Sequence, residues 1–168
     1  MLINYIKYSI LGLVLSSNPI ELNIVETAVS NENFSTLVAA VQAGDLVDAL
    51  SSEGPFTVFA PTNDAFNNLP DGTLESLLLP ENIETLQSIL TYHVVAGKFM
   101  AEDVVNAIND NGGQLTVTTL QGNDLTLKRW EGNVYVKDAT GNKAKVIITD
   151  VETTNGVIHA INNVVLPE

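Results

Sequence analysis

Cysteine is absent from the 168 residues, which removes disulfides, thiolate metal sites and cysteine nucleophiles at once. Histidine is almost as scarce. His93 and His159 are the two side chains that titrate near neutrality without help. Basic residues are missing from the whole stretch between Tyr8 and Gly97, which carries eleven acidic ones from Glu21 to Glu84. The cations other than Lys7 lie between Lys98 and Lys145. With 20 acidic and 7 basic residues the net charge is −13. A surface so charged repels phosphate backbones and anionic lipid, so nucleic acid is not an expected partner. No apolar run reaches the roughly 18 residues a transmembrane helix requires, so no transmembrane span is expected.

What remains is an ordinary globular composition, 45% hydrophobic and 16% charged. That is too apolar for a disordered chain, and the length suits one domain. The opening residues differ from the rest. Met1–Lys7 carries one positive charge, Tyr8–Leu15 is a short apolar run, and Val14 and Ser16 suit a cleavage site before Ser17. Residues 1–22 therefore read as a signal-peptide-like segment or a terminal extension, and 23–168 as a single domain. Export would place the protein outside the cell, in a bacterial periplasm or at a cell surface.

The domain divides into a helical half and a strand half. Helical spacing of apolar residues predicts helices over Ile24–Val29 and Phe34–Ala43. Gly44 is expected to stop the second, and Asp45 to cap a short helix over Leu46–Leu50. Phe56–Ala60 is a short apolar strand of the kind covered on both faces. Pro61 ends it, and Thr62 caps a helix over Asn63–Asn68. Thr73 is expected to cap a helix to Leu79, and Pro80 to open a longer one to Tyr92. Val94–Val95 is extended and Ala101–Asn109 helical. From Gln114 the period becomes two, with Gly-Asn turns at Gly122, Gly132 and Gly141, which predicts an antiparallel meander. Lys145–Val151 and Gly156–Val165 are the last strands, joined by a tight turn at Asn155-Gly156. Helices first and hairpins after make an α+β domain, its N-terminal helices packed on an antiparallel β-sheet wedge formed mainly by the C-terminal half.

Motifs that carry chemistry are not found. There is no HExxH, no GxSxG and no phosphate loop. Asn109-Asp110-Asn111-Gly112 mimics part of an EF-hand loop, but Ala107 and Thr118 stand where carboxylates are required. Glu102 and Asp103 are adjacent on a helix and cannot face each other across a glycosidic bond. No metal site, catalytic set or cofactor is expected. An enzyme or small-ligand protein using a pocket near His93 or His159 is the alternative.

Two segments carry a resemblance. Thr57–Phe66, reading TVFAPTNDAF, and Asn155–Ile161, reading NGVIHAI and continuing through Val164-Val165-Leu166-Pro167, resemble the two signatures of fasciclin-like domains. Tyr92-His93 falls where that family has its tyrosine–histidine motif, and the likeness runs from about Asn23 to Pro167. The resemblance implies the fasciclin-like fold and cell adhesion or matrix attachment without catalysis. The expected partner is a protein or polysaccharide of a cell surface or matrix, with self-association as a further partner class. Thr57, Phe59, Pro61, Thr62, Asp64, Phe66, Asn155, Gly156, His159 and Ile161 are the signature positions, read as mainly structural. Tyr92 and His93 are the positions the resemblance offers as an adhesive contact. The second signature often has Asp where this chain has Asn162. A hydrogen-bonding role survives that change, and a role needing negative charge does not.

Overall fold

The computed structural model describes residues 22–167. The signal-like segment falls almost wholly outside them. Seven α-helices and seven strands follow one another as α1 (Ile24–Val29), α2 (Ser35–Ala43), α3 (Val47–Ser51), β1 (Phe56–Pro61), α4 (Asn63–Asn67), α5 (Thr73–Leu77), α6 (Ile83–Tyr92), β2 (Val94–Ala96), α7 (Ala101–Asp110), β3 (Gln114–Thr118), β4 (Asp124–Trp130), β5 (Asn133–Lys137), β6 (Lys143–Thr153) and β7 (Gly156–Ile161). The spatial order of the strands is β2-β1-β7-β6-β5-β4-β3.

The expected meander is present: β3, β4, β5 and β6 pair antiparallel in turn. The wedge is not antiparallel throughout, because β1 and β7 pair parallel over their full lengths. The two signature strands are thus neighbours, with Phe59 opposite His159 and Phe56 opposite Gly156. The long β6 belongs to both parts of the sheet. Register shifts between Val146 and Ile148 and between Ile148 and Val151 bend it, as bulges do.

Period-two alternation on β1 builds two cores. Val58 and Ala60 face the helical layer, where they meet Phe34, Leu37, Leu86 and Leu90. Phe59 faces the other way, toward Tyr92, Val104, Ile108, Leu125 and Leu127. β1 is therefore buried on both sides, as its composition requires. On the meander, inward side chains such as Leu125, Leu127 and Val136 alternate with polar residues and close over α7.

Some boundaries differ from expectation for local reasons. Gly44 ends α2 in right-handed geometry, and Asp45 takes the left-handed position at φ 57°. Gly44 is small for packing: a Cβ there would lie 3.3 Å from a Leu90 methyl. Asp45 consequently does not cap α3, which starts after Leu46 without a side-chain cap. Gly72, at φ 84°, precedes α5, so Thr73 is its first residue rather than its cap. The last strand stops at Ile161, four residues early, because Asn162 ends the ladder. Its N–H bonds the Lys145 carbonyl, and its Oδ1 accepts the Lys145 N–H at 2.8 Å. Thr62 caps α4 as expected, accepting from the Ala65 N–H.

Candidate functional site

The signature residues lie at the centre of the domain, and each buried polar one has a definable task. The hydroxyl of buried Thr57 donates to the Gly97 carbonyl at 2.7 Å and accepts from the Phe99 N–H at 2.9 Å, which fixes the link between β2 and α7. Asn63, beside Thr62, holds the start of α2: its Oδ1 accepts from the Thr36 N–H and its Nδ2 donates to the Glu32 carbonyl. Asn155 ties three elements together. Its Oδ1 accepts from the Ile24 N–H at 3.0 Å, and its Nδ2 donates to the carbonyls of Leu50 and Ser52. Gly156 stands against β1 so closely that a Cβ would sit 1.9 Å from the Phe56 carbonyl oxygen. Only glycine fits there. Asp64 is the exposed member of the set.

His159 is 2% exposed and stacks on Phe59, centroids 5.8 Å apart. Its Nε2 donates to the Phe99 carbonyl at 2.7 Å, and its Nδ1 accepts from the Asp150 N–H at 3.2 Å. These partners set the orientation of the ring, with Nε2 as its donor and Nδ1 as its acceptor. Asp150 lies in the bent part of β6 at φ 61°, and its carboxylate accepts from the Ala101 N–H at the start of α7 at 2.7 Å. The imidazole and this carboxylate together clamp α7 to the signature strand.

His93 mirrors this arrangement at the other end of the core. Its Nδ1 donates to the Ile89 carbonyl at 2.7 Å, and its Nε2 accepts from the Val165 N–H at 3.2 Å. Burial pushes its pKa from 6.5 down to about 4, with the Ile89 hydrogen bond and the Asp138 charge opposing in part. Tyr92 is fully buried, its hydroxyl donating to the Asp124 carbonyl and accepting from the Ala139 N–H. Tyr92 and His93, expected as an adhesive contact, are therefore inside. A partner on the surface of the folded domain cannot touch either side chain.

The sequence reading missed Asp138. It is buried, with Oδ1 accepting from the Thr140 and Asn142 N–H groups and Oδ2 from the Leu166 N–H at 2.9 Å. The signal was the turn sequence Asp138-Ala139-Thr140-Gly141-Asn142, in which an aspartate bonds its own backbone two residues on. With His93, it secures the C-terminal stretch across the core.

Recesses of very different size lie nearby, a small apolar one of about 20 Å³ beside Phe59 and His159 among them. An open groove of about 450 Å³ is lined by Ser51, Glu53, Pro55, Lys98, Thr153 and Thr154, with Asn155 at its base. Lys98 at its rim pairs with Glu152 at 3.0 Å. Another, of about 30 Å³, is apolar and lies between α1, α2 and β1, with His93 in its wall. Among the described residues, no group of three His, Asp or Glu side chains stands close enough to hold a metal ion, and no helix is long and apolar enough to cross a membrane.

Comparison with known proteins agrees with this architecture. The Fasciclin domain model matches residues 32–167. Protein sll1483 of Synechocystis is 58% identical over 87% of this chain and 74% of its own length. The protein sll1735 of the same organism is 51% identical over 86% of this chain and 97% of its own. A solved FAS1 domain pair from the insect cell adhesion molecule Fasciclin I superposes with a TM-score of 0.76 at 20% identity. It covers 86% of this chain, which spans about half (51%) of that structure. That likeness is one of fold.

Proposed function

Since the chain belongs to the fasciclin-domain family, we propose that it is an extracellular recognition domain, without catalytic function, that attaches to a protein or polysaccharide of a cell surface or matrix. One observation carries this reading. Both nitrogens of each histidine are bonded to main chain at buried positions. The residues best suited to acid–base chemistry are thus committed to holding the fold, and a general base must instead reach a substrate proton. Recognition then belongs to exposed side chains around a rigid centre. The kinship with a fold found in a cell adhesion molecule supports the same reading.

The test is a binding screen of the full chain against immobilised glycans, matrix proteins and cell-envelope fractions by biolayer interferometry. Saturable binding to at least one surface class is expected. Absence of binding to all of them, or turnover of a substrate lost on His159→Gln with the fold intact, refutes it.

A further inference from the structure

The register of the meander sorts its side chains into two faces. Lys128 on β4 stands opposite Tyr135 on β5, which stands opposite Lys145 on β6. In the next row, Thr126 is opposite Lys137, and Lys137 opposite Lys143. Trp130 closes the end of β4, 64% exposed, with its ring 6.1 Å from that of Tyr135 at 51°. These residues lie on one side of the sheet, because Leu125, Leu127 and Val136 between them fill the core on the other. Four of the chain's seven basic residues thus share one sheet face with an exposed tryptophan and a tyrosine.

The charge on this face is uncompensated. The ion pair found among the described residues is Lys98–Glu152, which lies elsewhere. Asp124 is the carboxylate at a paired position of this face, and its Oδ1 is occupied by the Thr118 hydroxyl at 2.9 Å. Glu131 stands at the hairpin tip, and Asp138, next to Lys137 in sequence, is buried with its carboxylate bonded to main-chain N–H groups. A chain of net charge −13 has therefore gathered its cations onto a flat patch of paired strands. Adjacent strands are about 4.8 Å apart and alternate residues about 6.8 Å apart, so the amines form a shallow lattice rather than a pocket.

We propose that this outer face, formed by Lys128, Lys137, Lys143 and Lys145 with Trp130 and Tyr135, binds an anionic polysaccharide. The inference rests on the recognition reading above and names its ligand class and its surface. The amines complement carboxylate or sulfate groups, the exposed indole offers a flat apolar face for a sugar ring, and Gln114, Thr126 and Asn133 in the same rows supply hydrogen bonds for hydroxyls. A duplex nucleic acid, with a charge every 1.7 Å or so, extends past the patch and meets the acidic remainder of the surface. A sugar polymer carries at most a few charges per ring and suits a small cationic area.

The experiment measures binding of the full chain to immobilised alginate, which presents carboxylates, and dextran sulfate, with neutral dextran and single-stranded DNA as controls. Wild type is compared with Trp130→Ala and with the double variant Lys128→Gln/Lys137→Gln, each checked for fold by circular dichroism. Expected are saturable, salt-sensitive binding to one or both anionic polymers, none to dextran, and a loss of about tenfold or more in affinity for each variant. The two polymer arms tell carboxylate from sulfate. Equal binding to dextran, unchanged binding by the variants, or DNA bound as tightly as the polymers overturns the proposal. So does self-association in sedimentation, without polymer, that the same substitutions abolish. If neither polymer is bound while the screen above still finds a surface partner, this inference fails and the recognition reading stands. Silence in both experiments removes both.

Discussion

Acidification at His93 gives a quantitative test of the framework assignment. The buried ring has a pKa of about 4, against 6.5 for an ordinary histidine. Between those values the unfolded chain takes up a proton that the folded chain refuses. Stability therefore rises with pH across this window. It is fully present above 6.5, falls as pH drops, and the loss is complete below about 4. At pH 5 the contribution lost is about 2 kcal/mol relative to pH 7.5, and it reaches roughly 3 kcal/mol at the bottom of the window. Other groups also respond to acid, so the control is His93→Gln. Its Oε1 can accept the Val165 N–H as Nε2 does, but the hydrogen bond to the Ile89 carbonyl is lost. The variant should be about 1 kcal/mol less stable at pH 7.5 and should lack the histidine's proton uptake. Urea unfolding followed by far-UV circular dichroism at both pH values is the assay, since exposed Trp130 is a poor reporter of the core. The wild-type advantage should disappear and reverse to a deficit of about 1 kcal/mol at pH 5. A difference between the two proteins that stays constant from pH 7.5 to 5 refutes the assignment of His93 as a buried neutral staple.

Three further outcomes follow from the same geometry. Asn155→Ala leaves the Ile24 N–H and the Leu50 and Ser52 carbonyls without their partner and should lower unfolding free energy by about 3 kcal/mol in urea. A loss below about 0.5 kcal/mol contradicts the three-way tie. Gly156→Ala places a methyl on the Phe56 carbonyl and should cost more than about 3 kcal/mol or abolish folding; a melting temperature equal to wild type contradicts the parallel register. Asp150→Ala removes the carboxylate from the start of α7 and should cost about 1 kcal/mol. Asp150→Asn should recover much of this in the same melts, as both tolerate the left-handed backbone at that position, and equal losses for the two variants contradict the capping role.

Legibility in the sequence tracked how local the cause was. Thr62 as a cap, the Gly-Asn turns of the meander and the doubly buried β1 follow from neighbouring residues, and each is where its pattern places it. The parallel pairing of β1 with β7 joins segments far apart in the chain, and no periodicity within either strand encodes it. Gly44 ends α2 as expected, but the left-handed position falls on Asp45, which therefore does not cap α3, and the crowding of Gly44 by Leu90, remote in sequence, is not visible locally. The resemblance located Tyr92 and His93 but not their burial: a tyrosine and a histidine look alike on a surface and in a core until their partners, Asp124 and Val165, are known. Asn162 kept a hydrogen-bonding role in place of the acid often found there, since its Oδ1 accepts the Lys145 N–H. The cationic face was half visible. The sequence placed the basic residues in the C-terminal half, but only strand register put four lysines on one side.

The most direct measurement compares wild type and His93→Gln at pH 7.5, where both are folded, for binding to whichever cell-surface or matrix preparation retains the wild type. With the signatures as framework and recognition on the exterior, wild type binds saturably and the variant binds with affinity within about twofold of it. A variant that keeps its fold by circular dichroism yet loses binding, or a wild type that binds no surface, contradicts the account.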